Sequence, residues 1–323
     1  MPTRADIETA ARRLAGIQAG DAGRVCRSPM LRSAWLSERA GTNVWIKVES
    51  VQPGGSFKIR GALNALHALR VEHPDISTVV TASAGNHGTA MAIAARQFGL
   101  RLRVHLPATA PDAKRQGLLS HGAELVESRD YDEAEAAARA DADESGVPYI
   151  SPYNHPDVIA GAGTVALEML EDNPALSALV VPLGGGGLLA GAALVARGHD
   201  RPVRVIGAEV ESSLVFTTAL GAGAITPVEV RDTLADGLAG NLEPASQTFD
   251  LVRDLVDAVA LVAESSIETA MRNLIYRERL IAEGAGATAV AAILQGGLAL
   301  GDGAVGVMLT GRNVDMSVLK RVV

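Results

Sequence analysis

The sequence predicts an α/β fold in which two domains each contain a mostly parallel sheet flanked by helices. Apolar runs of strand length alternate with stretches of helical apolar spacing along nearly the whole chain, which is typical of parallel sheets with helical crossovers. The chain of 323 residues is long enough for two modest domains. Its 34 glycines fit an α/β protein with many tight turns.

Helices are predicted where Ala, Leu and Ile recur at three- and four-residue spacing, and strands where short apolar runs are bounded by turn residues. Pro53-Gly54-Gly55 is a loop, and Ser56 is placed to cap a helix that begins near Lys58. The elements predicted for this half are helix 5–17, strand 43–47, helix 58–70, strand 78–81, a helix ending at 98, strand 102–106, helix 113–120, strand 124–126 and helix 131–145.

The second half repeats the alternation, with a mixed, glycine-broken region over 212–247. The two blocks meet near residue 148, so we expect a large domain from 1–50 and 148–323 and a small domain from 51–147. The elements predicted here are helix 158–171, strand 178–182, a helix ending at 197, strand 203–208, strand 256–262, helices 264–277 and 285–295, and strand 305–309.

Charge and apolar patterning exclude several classes of protein. A net charge of −8 argues against nucleic-acid binding, which needs a basic face. The longest apolar stretches, such as Leu188–Ala196, are too short to span a bilayer. The N-terminus has no apolar signal core, and the single thiol, Cys26, cannot form an internal disulfide. We therefore expect a cytoplasmic protein without nucleic-acid or membrane partners.

Lysine is scarce, and one lysine lies in an unusual place. Only four of the 29 basic residues are lysines, and Lys58 lies between a glycine turn and an apolar run. Lysine can become a nucleophile once its pKa is lowered, whereas arginine stays protonated. Lys58 is therefore a candidate Schiff-base lysine; the alternative is a solvated lysine at a helix start.

Two turns that join a strand to a helix can accept an anion, because backbone N–H groups converge there. One turn contains Asn86 and His87, which could instead be helix caps. The other is the tetraglycine Gly184–Gly187, which could be a purely structural turn. It lacks the Walker sequence and matches the dinucleotide fingerprint poorly, although Glu209 lies at about the spacing of the fingerprint's acid.

Five segments together indicate a family. They are GSFKIRGA (55–62), SAGNHG (83–88), GGGGL (184–188), EGAGA (283–287) and TGRNVD (310–315). In this order they resemble the fold type II, tryptophan synthase β-like, pyridoxal-phosphate enzymes, and more narrowly the serine/threonine dehydratases. The resemblance covers nearly the whole chain.

The resemblance implies a role for particular residues. Lys58 would hold pyridoxal 5'-phosphate covalently, and Phe57 would pack beside the ring. Asn86 would bind the ring hydroxyl, Thr310 would face the ring nitrogen, and Gly237 would lie near the ring through its backbone. Glu283 would lie close to the ring or substrate. The phosphate would be bound by Gly184, Gly185, Gly186, Gly187 and Leu188. The substrate carboxylate would be held by Ser83, Ala84, Gly85, Asn86 and His87.

The resemblance also implies an ammonia-lyase that converts a β-hydroxy amino acid, L-threonine or L-serine first, into a 2-oxo acid and ammonia. A 3-hydroxyaspartate dehydratase and a serine racemase are alternatives, although Ala84 stands where racemases have a serine that acts as a second base. A β-replacement synthase, a non-catalytic ligand-binding homologue and a nicotinamide dehydrogenase are further options. A homodimer is expected. No metal site is expected, because Val215 stands where metal-dependent relatives have a second carboxylate beyond Glu209.

Overall fold

The computed structural model describes residues 1–17, 20 and 23–323, and these residues form nine strands and thirteen α-helices. The strands are β1 (Met30–Ser33), β2 (Val44–Val48), β3 (Thr78–Ala82), β4 (Arg101–Pro107), β5 (Glu124–Ser128), β6 (Leu176–Leu183), β7 (Arg204–Val210), β8 (Ala258–Val262) and β9 (Ala304–Leu309).

The helices lie between the strands and at both ends of the chain. They are α1 (Arg4–Gly16), α2 (Ala34–Ala40), α3 (Lys58–Glu72), α4 (Asn86–Gln97), α5 (Asp112–Ser120), α6 (Tyr131–Ser145), α7 (Pro156–Asp172), α8 (Gly187–Arg197), α9 (Val215–Ala222), α10 (Gln247–Leu255), α11 (Glu264–Asn273), α12 (Gly284–Gln295) and α13 (Met316–Val322). Short 3₁₀ turns occupy Glu49–Val51, Pro53–Gly55 and Asp236–Leu238, and a π-helical turn occupies Leu274–Glu278.

The strands form two sheets. The larger has six strands in the order β1-β2-β9-β6-β7-β8, and the smaller has three in the order β3-β4-β5. Among the strands β1–β9, β1 runs antiparallel to β2, and all the other neighbouring strands pair in parallel. The predicted fold class is confirmed. The boundaries given above for the two domains stay a prediction.

Helices cover both faces of the large sheet. One apolar cluster joins one face to α1, α7 and α8, and a second joins the other face to α2, α11 and α12. A third cluster packs α3, α4 and α5 against the small sheet, whose other face meets α6. No described helix is long and apolar enough to cross a membrane.

The structure differs from the predicted elements in several places. The elements β1, α2, α9, α10 and α13 are absent from the predicted set. Four of them are too short to give much periodic signal, whereas the clear apolar spacing of α10 is a signal that the prediction missed. The predicted capping role of Ser56 is wrong: Phe57 is the N-cap of α3, and no side chain caps it. The reason lies in the tertiary structure, because Ser56 has an extended backbone and forms an isolated β-bridge with Gly311. The helix predicted over 264–277 ends as an α-helix at Asn273 and continues as the π-helical turn.

A buried ionic network joins α3 to α7 and to the 3₁₀ turn after β2. Arg60 is 1% exposed and bonds both oxygens of Glu49, at 2.8 Å each, from Nε and Nη2. Its Nη1 and Nη2 also reach the carboxylate of Glu168 at 2.7 and 2.9 Å. Lys47, fully buried, binds Glu168 at 2.7 Å and the Ser28 carbonyl at 2.8 Å. Charges so buried are tolerated only when each is paired.

We predict that Arg60→Met destabilises the protein by about 3–5 kcal/mol, because Glu49 is buried and loses its guanidinium partner. Urea unfolding of the wild type and the variant measures the loss. Arg253→Met removes an arginine that pairs with Asp250 and Asp254 at the surface, and its unfolding midpoint should not move. Equal midpoints for all three proteins would contradict the prediction.

Candidate active site

The turn before α3 is held against the residues that follow β9. The Phe57 N–H donates to the Thr310 carbonyl, and the Arg312 N–H donates to the Gly55 carbonyl, each at 3.0 Å. Gly55 has a φ of +76°, which favours glycine, and a Cβ there would overlap the side chain of Asn313. These bonds bring the start of α3 next to the end of the last strand.

Lys58 begins α3, and its amine points at the segment between α6 and α7. Its Nζ donates to the Pro152 carbonyl at 2.8 Å and lies 5.3 Å from the centre of the Phe57 ring. Burial lowers the pKa of Lys58 to about 8, and the charge of Glu283 opposes this shift only in part. A neutral, nucleophilic amine is therefore accessible near neutral pH.

Asn86 and Glu283 form the next layer around the lysine. Asn86 Nδ2 donates to Glu283 Oε1 at 2.6 Å, and Asn313 Nδ2 donates to Asn86 Oδ1 at 2.7 Å. Burial raises the pKa of Glu283 to about 7, while the bond from Asn86 opposes the shift. A Cβ at Gly311 would overlap the Glu283 carboxylate, so only glycine fits there. The Asn86 amide is thus fixed, with one Nδ2 hydrogen still available.

The predicted carboxylate-binding turn lies between β3 and α4. Gly85 is the N-cap of α4, and no side chain caps this helix, so the alternative of Asn86 or His87 as a cap is wrong. The Gly85 N–H donates to Ser83 Oγ at 3.1 Å. A Cβ at Gly88 would overlap the Ser83 carbonyl, which accounts for the glycine. The turn presents the start of a twelve-residue helix, where an anion is favoured.

The His87 imidazole contacts β3. His87 Nε2 lies 3.1 Å from Thr81 Oγ1, and that hydroxyl donates to the Ile150 carbonyl at 2.7 Å. The hydroxyl can therefore only accept from the ring, which places the imidazole proton on Nε2. Burial lowers the pKa of His87 well below its usual value, so the ring is neutral. Any contact of His87 with an anion in the turn would come from its backbone N–H.

The tetraglycine segment Gly184–Gly187 joins β6 to α8. Its third residue, Gly186, has a φ of +86°, and α8 begins at Gly187. A Cβ on any of the four would collide with a neighbour. The neighbours are Leu238 against Gly184, Tyr153 against Gly185 and Gly187, and Phe216 against Gly186. These four positions therefore admit only glycine, and the segment leads into the start of an eleven-residue helix, where a phosphate is favoured.

The remaining predicted residues lie around this framework. Thr310, 4% exposed, follows β9 and lies beside the turn that precedes α3. Gly237 lies in the 3₁₀ turn, where a Cβ would approach Ala285 at 3.3 Å, and the next residue packs on Gly184. Leu188 is buried in the core as the second residue of α8. The fold thus brings the predicted residues to the C-terminal edges of the two sheets.

Several residues at the site are absent from the predicted set. Tyr153 lies against Gly185, and its hydroxyl accepts from the Glu243 N–H at 2.7 Å. Lys114, on α5, pairs with Asp236 at 2.7 Å and so links the small sheet's helices to the 3₁₀ turn. No local pattern could reveal these pairs, because each joins residues far apart in sequence.

Glu209, the candidate metal ligand, has other partners. Its carboxylate accepts from the Phe216 N–H at 2.6 Å and the Thr217 N–H at 2.9 Å, and also from the Thr217 hydroxyl. It thus caps the start of α9. Across residues 1–17, 20 and 23–323, no group of three His, Cys, Asp or Glu side chains could hold a metal ion.

Comparison with known proteins defines the class. The family model described as "Pyridoxal-phosphate dependent enzyme" matches residues 23–311, and the chain belongs to this family. The chain is 37% identical to the L-threonine ammonia-lyase of Thermotoga maritima over 324 residues, which is 100% of this chain and 78% of that protein. The predicted resemblance to the serine/threonine dehydratases is confirmed.

Solved structures agree with this assignment. Maize serine racemase superposes with a TM-score of 0.89 at 32% identity, covering 99% of this chain and 96% of the racemase. The processed form of a threonine deaminase from Solanum lycopersicum superposes with a TM-score of 0.86 at 30% identity, covering 100% of this chain and 94% of the deaminase.

The residues present fit the family's cofactor. A lysine with a lowered pKa can react with an aldehyde, and the tetraglycine turn at the start of α8 can receive a phosphate. The two features are linked through one segment, because Pro152 accepts the Lys58 amine and Tyr153 packs on Gly185.

We predict that Lys58 of the cofactor-free protein reacts with acetic anhydride with a half-maximal rate near pH 8, because burial disfavours its ammonium form. A model lysine has a pKa of about 10.4. Labelling at graded pH followed by peptide mapping gives the profile, with the exposed Lys320 as a reference in the same digest. A midpoint for Lys58 at or above about pH 10 would contradict the prediction.

Proposed function

We propose that this protein is an ammonia-lyase that converts a β-hydroxy amino acid into a 2-oxo acid and ammonia, with threonine and serine as the first candidate substrates. The observation that carries the proposal is a lysine amine of lowered pKa at the start of α3, whose preceding residue, Phe57, is hydrogen-bonded to Thr310, the neutral residue that follows β9. The similarity to L-threonine ammonia-lyases supports it.

The cofactor would be held by residues of both sheets. Lys58 would attach to its aldehyde, Asn86 would donate to its ring hydroxyl, and Thr310 would contact its ring nitrogen. Gly184–Gly187 and Leu188 would bind its phosphate, with Phe57, Gly237 and Glu283 around the ring. Pyridoxal phosphate, when bound, supplies an electron sink that acidifies the substrate's α-hydrogen.

The chain's own groups would then move the protons. The substrate's own amino group would replace Lys58 on the aldehyde, and the released Lys58 Nζ, neutral in part because burial lowers its pKa, would accept the α-proton of the substrate. The turn Ser83–His87 would fix the substrate carboxylate through backbone N–H groups. A threonine hydroxyl would stabilise a positive ring nitrogen less than a carboxylate would, which would favour departure of the β-hydroxyl as water, with a proton taken from an acid in the pocket.

A racemase is the nearest alternative, since maize serine racemase shares the fold. Racemisation needs a base on each face of the α-carbon, and the methyl group of Ala84 cannot carry a proton. Elimination is therefore favoured, and chiral analysis of serine recovered from the reaction should show no D-serine. The 3-hydroxyaspartate dehydratase stays an alternative, whereas a non-catalytic homologue would have no use for the Lys58 amine.

We also propose that the protein is a cytoplasmic homodimer. The free thiol of Cys26 supports a reducing compartment, and the resemblance to the dehydratase family implies the homodimer. A monomer mass by sedimentation at micromolar concentration would contradict the dimer.

We predict that Lys58→Ala lowers ammonia release from threonine by about 10²–10⁴-fold or more, because the variant has no amine to take the α-proton. Borohydride reduction of the wild-type holoenzyme should place a pyridoxyl group on Lys58, as read by peptide mapping. Lys320→Ala, at the exposed C-terminal helix, should keep both activity and label. Normal turnover by Lys58→Ala would contradict the proposal.

A further inference from the structure

The side chain of Asn313 joins two other segments that meet at the site. Its Nδ2 donates to the Gly54 carbonyl and to Asn86 Oδ1, at 2.7 Å each, so both of its hydrogens are used. The same side chain lies against Gly55, where a Cβ would overlap it. One residue after β9 therefore contacts both the turn before α3 and the first residue of α4.

The Gly54 carbonyl determines the direction of the Asn313 amide. A carbonyl oxygen only accepts, so the Asn313 atom beside it must be the Nδ2 that donates. The second Nδ2 hydrogen then faces Asn86, whose amide must present its oxygen, because only the oxygen accepts. Asn86 Nδ2 is thereby turned towards Glu283 Oε1, at 2.6 Å. The direction of both amides follows from one main-chain carbonyl.

Glu283 by itself cannot fix the Asn86 amide in this direction. As a carboxylate it accepts from Nδ2, but as a carboxylic acid it can donate to Oδ1 of an inverted amide. Burial raises the pKa of Glu283 to about 7, so both forms are present near neutral pH. The Asn313 amide does not titrate, and it holds the Asn86 amide in one direction whichever form Glu283 takes.

We propose that Asn313 is a positioning residue that acts through Asn86: it keeps the Asn86 amide in the direction in which Nδ2 faces Glu283 and retains one hydrogen for the ring hydroxyl of the cofactor. This inference rests on the cofactor contacts of the function proposed above. Thr310 would contact the ring nitrogen in that function, so the short segment 310–313 would act on two atoms of one ring. Without the Asn313 donor, the Asn86 amide can invert and present an oxygen where the cofactor needs a donor.

The competing explanation is that Asn313 only ties the turn before α3 to the segment after β9. In that case its bond to Gly54 supports the position of Lys58, and its loss weakens every ligand that reacts with Lys58 to the same extent. Loss of the direction of Asn86 weakens only ligands that carry the ring hydroxyl. Two ligands that differ in this hydroxyl alone therefore separate the explanations.

The test compares pyridoxal 5'-phosphate with its 3-deoxy analogue on the full-length chain freed of cofactor. Fluorescence titration gives both dissociation constants, and the readout is the constant of the analogue divided by that of the cofactor. This ratio should fall about 10-fold in Asn313→Ala, the effect expected for one hydrogen bond to the ring oxygen. Asn313→Asp has nearly the same shape, but its carboxylate cannot donate, so it should also lower the ratio. Asn86→Ala should lower it similarly, and adding Asn313→Ala to Asn86→Ala should change it no further.

The control is Asn43→Ala, which removes an exposed asparagine side chain that accepts from Arg32 just before β2, and it should retain the wild-type ratio. An unchanged ratio in a folded Asn313→Ala or Asn313→Asp would overturn the inference, and so would an equal fall in Asn43→Ala. A further fall when Asn313→Ala is added to Asn86→Ala would also overturn it, because Asn313 would then not act through Asn86.

Ammonia release from threonine and serine by the wild-type holoenzyme tests the elimination separately. A ratio that falls as predicted, without release from either substrate, supports the role of Asn313 and overturns only the proposed reaction. Release from either substrate, with a ratio that Asn313→Ala leaves unchanged, overturns only the role of Asn313.

Discussion

The site depends on a short backbone pairing between two distant parts of the chain. The turn at Gly55–Phe57 exchanges hydrogen bonds with Thr310–Arg312, so the first residue of α3 is fixed relative to the last strand of the large sheet. Asn313 extends the contact, since its Nδ2 donates to both Gly54 O and Asn86 Oδ1 at 2.7 Å. Because the pairing uses main-chain groups, it fixes the position of Lys58 without restricting its side chain.

Burial then sets the chemistry of the groups that the pairing brings together. The desolvated Lys58 loses its proton more readily than an exposed lysine, and the desolvated Glu283 holds its proton more tightly than an exposed glutamate. Both pKa values move towards neutrality, so each group can exchange a proton near pH 7. Arg60, two residues further along α3, shows the opposite outcome: it is 1% exposed but stays charged because two carboxylates surround it.

The segment from Tyr149 to Asn154 connects the reacting groups to the rest of the pocket. It accepts the Lys58 amine, packs on the glycine turn through Tyr153 and holds Glu243 by several hydrogen bonds. In a family whose members bind the same cofactor in the same fold, we expect substrate choice to differ through the side chains that contact a segment of this kind.

The sequence by itself determined the alternation of strands and helices, the glycine turns at the strand ends and the one lysine placed between a turn and a helix. Each of these is a local pattern: apolar spacing, a residue that tolerates left-handed backbone, or an amine among arginines. Only the tertiary structure decided that Ser56 pairs with Gly311 instead of capping α3, and that Glu243 meets Tyr153 across 90 residues and Lys58 meets Pro152 across 94. Such contacts and the burial they produce depend on chain crossings between the two sheets. For this reason local propensity predicts the elements but not the pKa of Lys58 or the contact of Glu243 with Tyr153.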